Sequence, residues 1–252
     1  MPDAMLFARG ITRRFGGLVA VNDVSLELRR GEVHAVIGTN GAGKSTLINI
    51  LSGELHASAG QVWLQGHDVT AWTQPQRARG GLGRSYQRST IFPTLTVYEN
   101  CRLAAQAARQ RFWHWWRRAA DCAQSAEAAR HALHRTGLEA SAQVQAGLLP
   151  HGHKRQLEIA MCLAGRPQVL LLDEPLAGMG AEETERMLSL LQSLKSEHAI
   201  LLVEHDMDAV FGNADLITVM VNGAAIACGT PAQIRANPQV QQAYLGDEAC
   251  TH

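Results

Sequence analysis

A chain of 252 residues that is 46% hydrophobic can bury a substantial core, as one domain or two. Its 23 Lys and Arg balance its 23 Asp and Glu, which excludes the basic footprint of a duplex-binding protein, and no apolar run approaches the ~18–20 residues of a membrane-spanning helix. Five scattered cysteines without a CxxC exclude a disulfide framework and a zinc ribbon and fit a reducing compartment. The stretch MPDAMLFARG lacks the charged-then-apolar order of a signal peptide, which argues against export.

In chain order, residues 20–28 alternate in character and read as a partly exposed strand. Residues 33–37 (VHAVI) read as a strand ending at Gly38, residues 44–51 as a helix, and residues 61–64 as a further alternating strand. From about Thr96 to Ala164 no strand is predicted. Ala, Gln, Arg and Leu dominate there, with breakers at Gly137 and near Pro150, so the stretch reads as a helical insertion between two parts of an α/β core. Residues 169–172 (VLLL) form an uninterrupted apolar run, as in a strand buried on both faces of a parallel sheet. A helix over 181–196 follows, with Thr184, Met187, Leu188, Leu191 and Leu194 on one face and Glu182 and Glu183 at its positive end. Residues 199–203 read as a second buried strand. Residues 216–221 and 224–227 flank Asn222-Gly223, a tight hairpin signal.

Between the strand at 33–37 and the helix at 44–51, Gly38-Thr39-Asn40-Gly41-Ala42-Gly43-Lys44-Ser45 matches G-x-x-x-x-G-K-[ST]. Glycines let backbone N–H groups curl around phosphate oxygens with no Cβ in the way. The helix start adds unpaired donors and partial positive charge. Lys44 brings a full charge toward the β and γ phosphates, and the Ser45 hydroxyl can ligate Mg²⁺.

Two further strand ends carry matching chemistry. The run 169–172 ends in Asp173-Glu174, and 199–203 ends in Glu204-His205. Ligands of open α/β sheets bind beyond the carboxyl ends of parallel strands. Asp173 suits Mg²⁺, Glu174 suits polarising the water that attacks a γ-phosphate, and His205 can donate to that phosphate.

Together these segments resemble the ATP-binding subunits of ABC transporters, with matches in order along nearly the whole chain. GTNGAGKST (38–46, ending in Thr46) is similar to Walker A, and VLLLDEP (169–175) to Walker B with its catalytic glutamate. Gln87, in RSYQRSTIFPTLTVYEN, resembles the Q-loop glutamine, an amide able to bind Mg²⁺ or water. His205 resembles the switch histidine, and Phe15 stands where the family keeps a ring for adenine. The resemblance implies an α/β fold: a P-loop NTPase (RecA-like) core with a mixed sheet, an inserted α-helical subdomain at about 88–166, an antiparallel β portion, and a tail at 230–252. It implies one ATPase domain over 1–252, using ATP and Mg²⁺.

The family signature falls at LPHGHKRQLEIA (149–160), just ahead of a helix whose apolar side is Leu157, Ala160, Met161 and Ala164. The resemblance implies that His151, Gly152 and His153 face the nucleotide of a second subunit, in a head-to-tail homo- or heterodimer. Pro150 stands where the family's serine supplies a hydroxyl and a backbone donor, and proline has neither. His-x-His offers only two ligands, and no Cys or carboxylate follows at a spacing that completes a metal site. His131 and His134 read as a solvated helix face. The loop 176–179 (LAGM) lacks the aspartate many relatives carry there.

Four stretches resemble the branched-chain amino-acid uptake group: FGGLVAVNDVSLEL, EPLAGMGAEET, VEHDMDAVF and GTPAQIRANPQVQQAYLGD. The resemblance implies membrane permease subunits as partners, a periplasmic binding protein acting indirectly, no nucleic acid, and a peripheral place on the cytoplasmic face of the inner membrane. Import of urea or short amides is the neighbouring alternative. A soluble ABC ATPase acting on nucleic acid or ribosomes is the alternative from another class. The tryptophan and arginine cluster at 111–118 suits either a docking surface at the membrane or a partly buried helix elbow.

Overall fold

The computed structural model describes residues 4–87, 89–109 and 123–248, so the tryptophan and arginine cluster at 111–118 lies outside the described residues. An antiparallel sheet runs β2(Leu18–Arg29)–β1(Ala4–Phe15)–β4(Ala59–Leu64)–β5(His67–Asp68). The second sheet runs β10(Ala224–Gly229)–β9(Leu216–Val221)–β3(Val33–Gly38)–β8(Ala199–Val203)–β7(Val169–Asp173)–β6(Leu82–Arg84). In it β9, β3, β8, β7 and β6 are parallel, and β10 pairs antiparallel at the edge.

Every residue of β3, β7 and β8 is buried, as expected of strands covered on both faces. Alternation splits their side chains between two cores. Val36, Leu171, Leu201 and Val203 join β1, β2, β4 and α1(Lys44–Ser52), so this helix lies sandwiched between the two sheets. Leu170, Leu172, Ile200 and Leu202 face the opposite core, with α3(Val97–Arg109), α4(Ala123–Arg135), α5(His151–Ala164) and α6(Ala181–Leu194). A third core gathers Ala35, Ile37, Ile217 and Val219 with α7(Met207–Asn213), α8(Pro231–Arg235) and α9(Pro238–Glu248), represented by Val210, Ile234 and Val240. Beyond Thr230, α8 and α9 thus join this core through Ile234 and Val240.

The helical insertion comprises α3, α4 and α5, which pack on one another, with short 3-10 turns at Glu139–Ser141 and Ala146–Leu148. The Asn222-Gly223 hairpin forms as expected, both residues at positive φ (48 and 84). Seven of these elements escaped the sequence reading: β1, β5, β6, α2(Gln74–Arg79), α7, α8 and α9. β1 carries its buried Leu6, Ala8 and Ile11 at uneven spacing because register shifts break its alternation. β6 is only three residues long and α2 six, too short for periodicity to register. Three helices differ in extent: α1 runs to Ser52 instead of 51, α6 ends at Leu194 instead of 196, and α5 begins at His151, so His153 lies inside its first turn.

Candidate active site

The phosphate loop continues from β3 at the centre of the larger sheet, and its conformation demands glycine. A Cβ on Gly38 would lie 2.2 Å from the Met220 carbonyl oxygen, and one on Gly43 would lie 2.3 Å from the Ala20 carbonyl oxygen. Gly43 sits at φ 98 and caps α1 with no side-chain partner, leaving the helix N-terminus open. The Gly223 N–H donates to the Ala42 oxygen at 3.1 Å, so the hairpin turn braces the loop from outside. Asn40, Gly41 and Ser45 are exposed, Thr39 and Thr46 half-buried.

Lys44 is 8% exposed. Its Nζ donates to the loop's own carbonyls, Gly38 O at 2.6 Å and Thr39 O at 3.1 Å. Burial pushes its pKa down, and the nearby Glu174 and Asp173 carboxylates oppose that shift. The ammonium group is thus held against the loop's own carbonyls beside the uncapped N-terminus of α1, an arrangement that suits a polyphosphate.

Because β3, β8, β7 and β6 are parallel neighbours, their carboxyl ends share one edge of the sheet. Asp173 closes β7 at 6% exposure, and burial raises its pKa, opposed first by the Arg84 guanidinium at 3.7 Å. Glu174 follows at φ 50, left-handed backbone that a non-glycine residue adopts only under constraint. Its Oε2 accepts from Gln87 Nε2 at 2.9 Å, and its Oε1 lies 4.0 Å from His205 Nδ1. Gln87, Glu174 and His205, from three separate strand ends, therefore meet. Ser45, Asp173 and Gln87 present oxygen donors with a single carboxylate among them, a set suited to Mg²⁺ shared with phosphate oxygens. Among the described residues no group of three His, Cys, Asp or Glu gathers to hold a metal by itself.

Phe15 lies at the tip of the β1–β2 hairpin, 44% exposed, with the Arg13 guanidinium 4.6 Å over its ring. The start of β2 touches the phosphate loop through Ala20.

The His151–His153 turn opens α5, with Pro150 as its N-cap. The Gly152 N–H donates to Glu183 Oε1 at 3.3 Å, while Glu183 Oε2 accepts from the Gly180 N–H at 3.3 Å. One carboxylate thus serves the N-termini of α5 and α6 together. The His151 ring lies against Gly178 in the loop after β7, and His153 lines a groove with Gln156, Met179 and Glu182.

Sequence reasoning missed four residues that organise this edge. Arg84, buried, donates to Ser52 Oγ and Asn49 Oδ1 and pairs with Glu54 at 2.8 Å, tying α1 to Asp173. Arg155 on α5 donates to the Tyr86 and Gln87 carbonyls at 3.2 and 2.9 Å and pairs with Glu158. Glu183 was read only as a first-turn acid, and Glu204 only as the neighbour of His205. No local pattern marks any of them, because each acts across elements distant in sequence.

A family model described as ABC transporter matches residues 21–177, and one described as branched-chain amino acid ATP-binding cassette transporter matches residues 226–250. The chain is 41% identical to the high-affinity branched-chain amino acid transport ATP-binding protein LivG of Salmonella typhimurium, covering 98% of this chain and 100% of the relative. It is 39% identical to the corresponding protein BraF of Pseudomonas aeruginosa, with the same coverage. The crystal structure of a nucleotide-free ATP-binding cassette from an ABC transporter superposes with a TM-score of 0.86 at 28% identity, covering 96% of this chain and 98% of the other. With its strand order, phosphate loop and acidic strand ends, the chain belongs to the ABC transporter family, as an ATP-binding cassette.

Proposed function

We propose that this chain is the ATP-hydrolysing subunit of an importer for branched-chain amino acids, peripheral to the cytoplasmic face of the inner membrane. The observation that carries the hydrolytic reading is the meeting of Gln87, Glu174 and His205 beside a phosphate loop whose lysine is free to exchange carbonyl partners for phosphate oxygens. The full-length similarity to LivG and BraF supports the solute class.

In this reading residues 1–252 act as one ATPase unit, with 88–166 as its helical arm and 230–252 as its tail. The N–H groups of residues 39–45 and the Lys44 ammonium bind the triphosphate, and Thr46 supports the same turn. Phe15 offers its free ring face to adenine. Ser45, Asp173 and Gln87 would hold Mg²⁺, which would supply charge neutralisation for the phosphates. Glu174 accepts the proton of the attacking water, and His205 donates to the γ-phosphate. His151, Gly152 and His153 face the nucleotide of a second cassette. Its phosphate can take the Gly152 N–H only after Glu183 moves aside, because that donor is now engaged. Arg155 holds the Gln87 backbone to α5, so movement of Gln87 is transmitted to the helical arm and from there to the permease.

Among the described residues no helix is long and apolar enough to cross a membrane, and in this reading the chain is attached through its permease partners. Purification of the full chain from detergent-solubilised membranes tests this reading. Permease subunits should accompany it, and leucine, isoleucine or valine with a periplasmic binding protein should raise its ATPase rate. Stimulation by urea or short amides alone would move the solute class, and recovery with RNA and no membrane subunit would overturn the transport reading.

A further inference from the structure

Glu204 is the one acid among these strand ends for which the hydrolytic reading has no use, yet it is fully buried. It lies immediately after β8 and before His205. Its Oε1 accepts from the Leu176 N–H at 2.8 Å and its Oε2 from the His205 N–H at 3.2 Å. The same Oε2 lies 3.8 Å from His205 Nδ1. The carboxylate therefore joins the loop after β7, which carries Glu174, to the loop after β8, which carries His205.

Its location explains why a brace belongs there. The β7–β8 ladder pairs Asp173 with Val203 and finishes with the Glu174 N–H donating to the Val203 carbonyl at 2.9 Å. Beyond that point the sheet no longer fixes one loop against the other. Glu174 also holds a left-handed φ of 50, a conformation that relaxes unless its surroundings enforce it. The Leu176 N–H lies two residues farther on, and Glu204 holds it. On the other side, the imidazole Nδ1 faces Glu204 and Glu174 at 3.8 and 4.0 Å, which leaves the outer ring nitrogen for a ligand. Burying a carboxylate is costly, and burial raises its pKa, so a purely apolar contact would serve packing better.

We propose that Glu204 is a positioning residue for ATP hydrolysis: its carboxylate clamps the Leu176 and His205 backbones and so sets Glu174 and His205 at their working separation. This inference rests on the hydrolytic reading above. A glutamine at 204 can accept from one of the two N–H groups but turns its own NH₂ toward the other, breaking the clamp at nearly constant volume.

The test uses the full chain in four forms: wild type, Glu204→Gln, His205→Ala and the double variant. Phosphate release from MgATP gives kcat and KM, and a fluorescent ATP analogue gives affinity and reports an intact phosphate loop. Glu204→Gln should lower kcat about tenfold or more with affinity within about threefold of wild type, since small misplacements at a reacting centre have effects of this size. On the His205→Ala background the same change should cost no more than about twofold, because residues acting as a unit are not additive. Glu204→Asp keeps the charge but reaches one N–H, and should fall between; it gives the same split between kcat and affinity if Glu204→Gln does not fold. A Glu204→Gln rate within about twofold of wild type would overturn the proposal. So would a loss that multiplies in full with His205→Ala, or an affinity that falls in step with kcat. An active Glu204→Gln beside an inactive His205→Ala removes only the clamp, whereas a fully active His205→Ala removes the hydrolytic reading with it.

Discussion

Glu174→Gln is expected to stop ATP turnover while leaving ATP binding intact. The side chain is 21% exposed, its Oε2 tethered by Gln87 and its Oε1 near His205, so it is aimed before any substrate arrives. Glutamine reproduces its shape and can still accept from Gln87, but the amide cannot take a proton from attacking water. General-base groups contribute about 10²–10⁴-fold, so phosphate release should fall by roughly that factor. Calorimetry should show ATP affinity little changed, because binding depends on the loop and Lys44. With hydrolysis blocked and one negative charge removed beside the γ-phosphate, an ATP-bound dimer should accumulate, visible by sedimentation. An unchanged rate of phosphate release would refute the role of Glu174.

Lys44→Ala has the second large expected effect, on binding itself. The ammonium is buried and shared between the Gly38 and Thr39 carbonyls, so its charge is kept inside the loop even with burial lowering its pKa. Charge-assisted hydrogen bonds are each worth about 1.5–3 kcal/mol, so losing those to the phosphates should weaken ATP binding roughly 100-fold or more. The fold should survive, because α1 keeps Leu47, Ile48, Ile50 and Leu51 in the core between the sheets. Circular dichroism matching wild type, with no heat of ATP binding in calorimetry, is the expected pair of results. Retained tight binding would count against the loop assignment.

Much of this molecule was legible in its sequence because the informative signals are local. VLLL and AILLV read as buried strands since both faces are covered and no alternation is required. The phosphate loop is legible because its glycines answer contacts of 2.2 and 2.3 Å, which no other residue could satisfy. Asn222-Gly223 encodes its hairpin through two positive φ angles. By contrast, β1 was missed although it pairs with both β2 and β4, because bulges displace its buried side chains from strict alternation. The site showed the same division. The groups proposed to react stand at or just beyond strand ends and could be picked out in order, whereas Arg84, Arg155, Glu183 and Glu204 act through partners far along the chain. The proline in the signature position illustrates the difference. The sequence shows that its donors are missing, but only the structure shows that the neighbouring Gly152 donor is already engaged by Glu183.

The most direct test is a crystal structure of Glu174→Gln with ATP and Mg²⁺. The β and γ phosphates should lie within hydrogen-bonding distance of the N–H groups of residues 41–45. Lys44 Nζ should have left the Gly38 carbonyl for phosphate oxygens, with Asp173 and Gln87 on the metal side. A triphosphate bound away from that loop, or a Lys44 still on Gly38 with ATP present, would contradict the assignment.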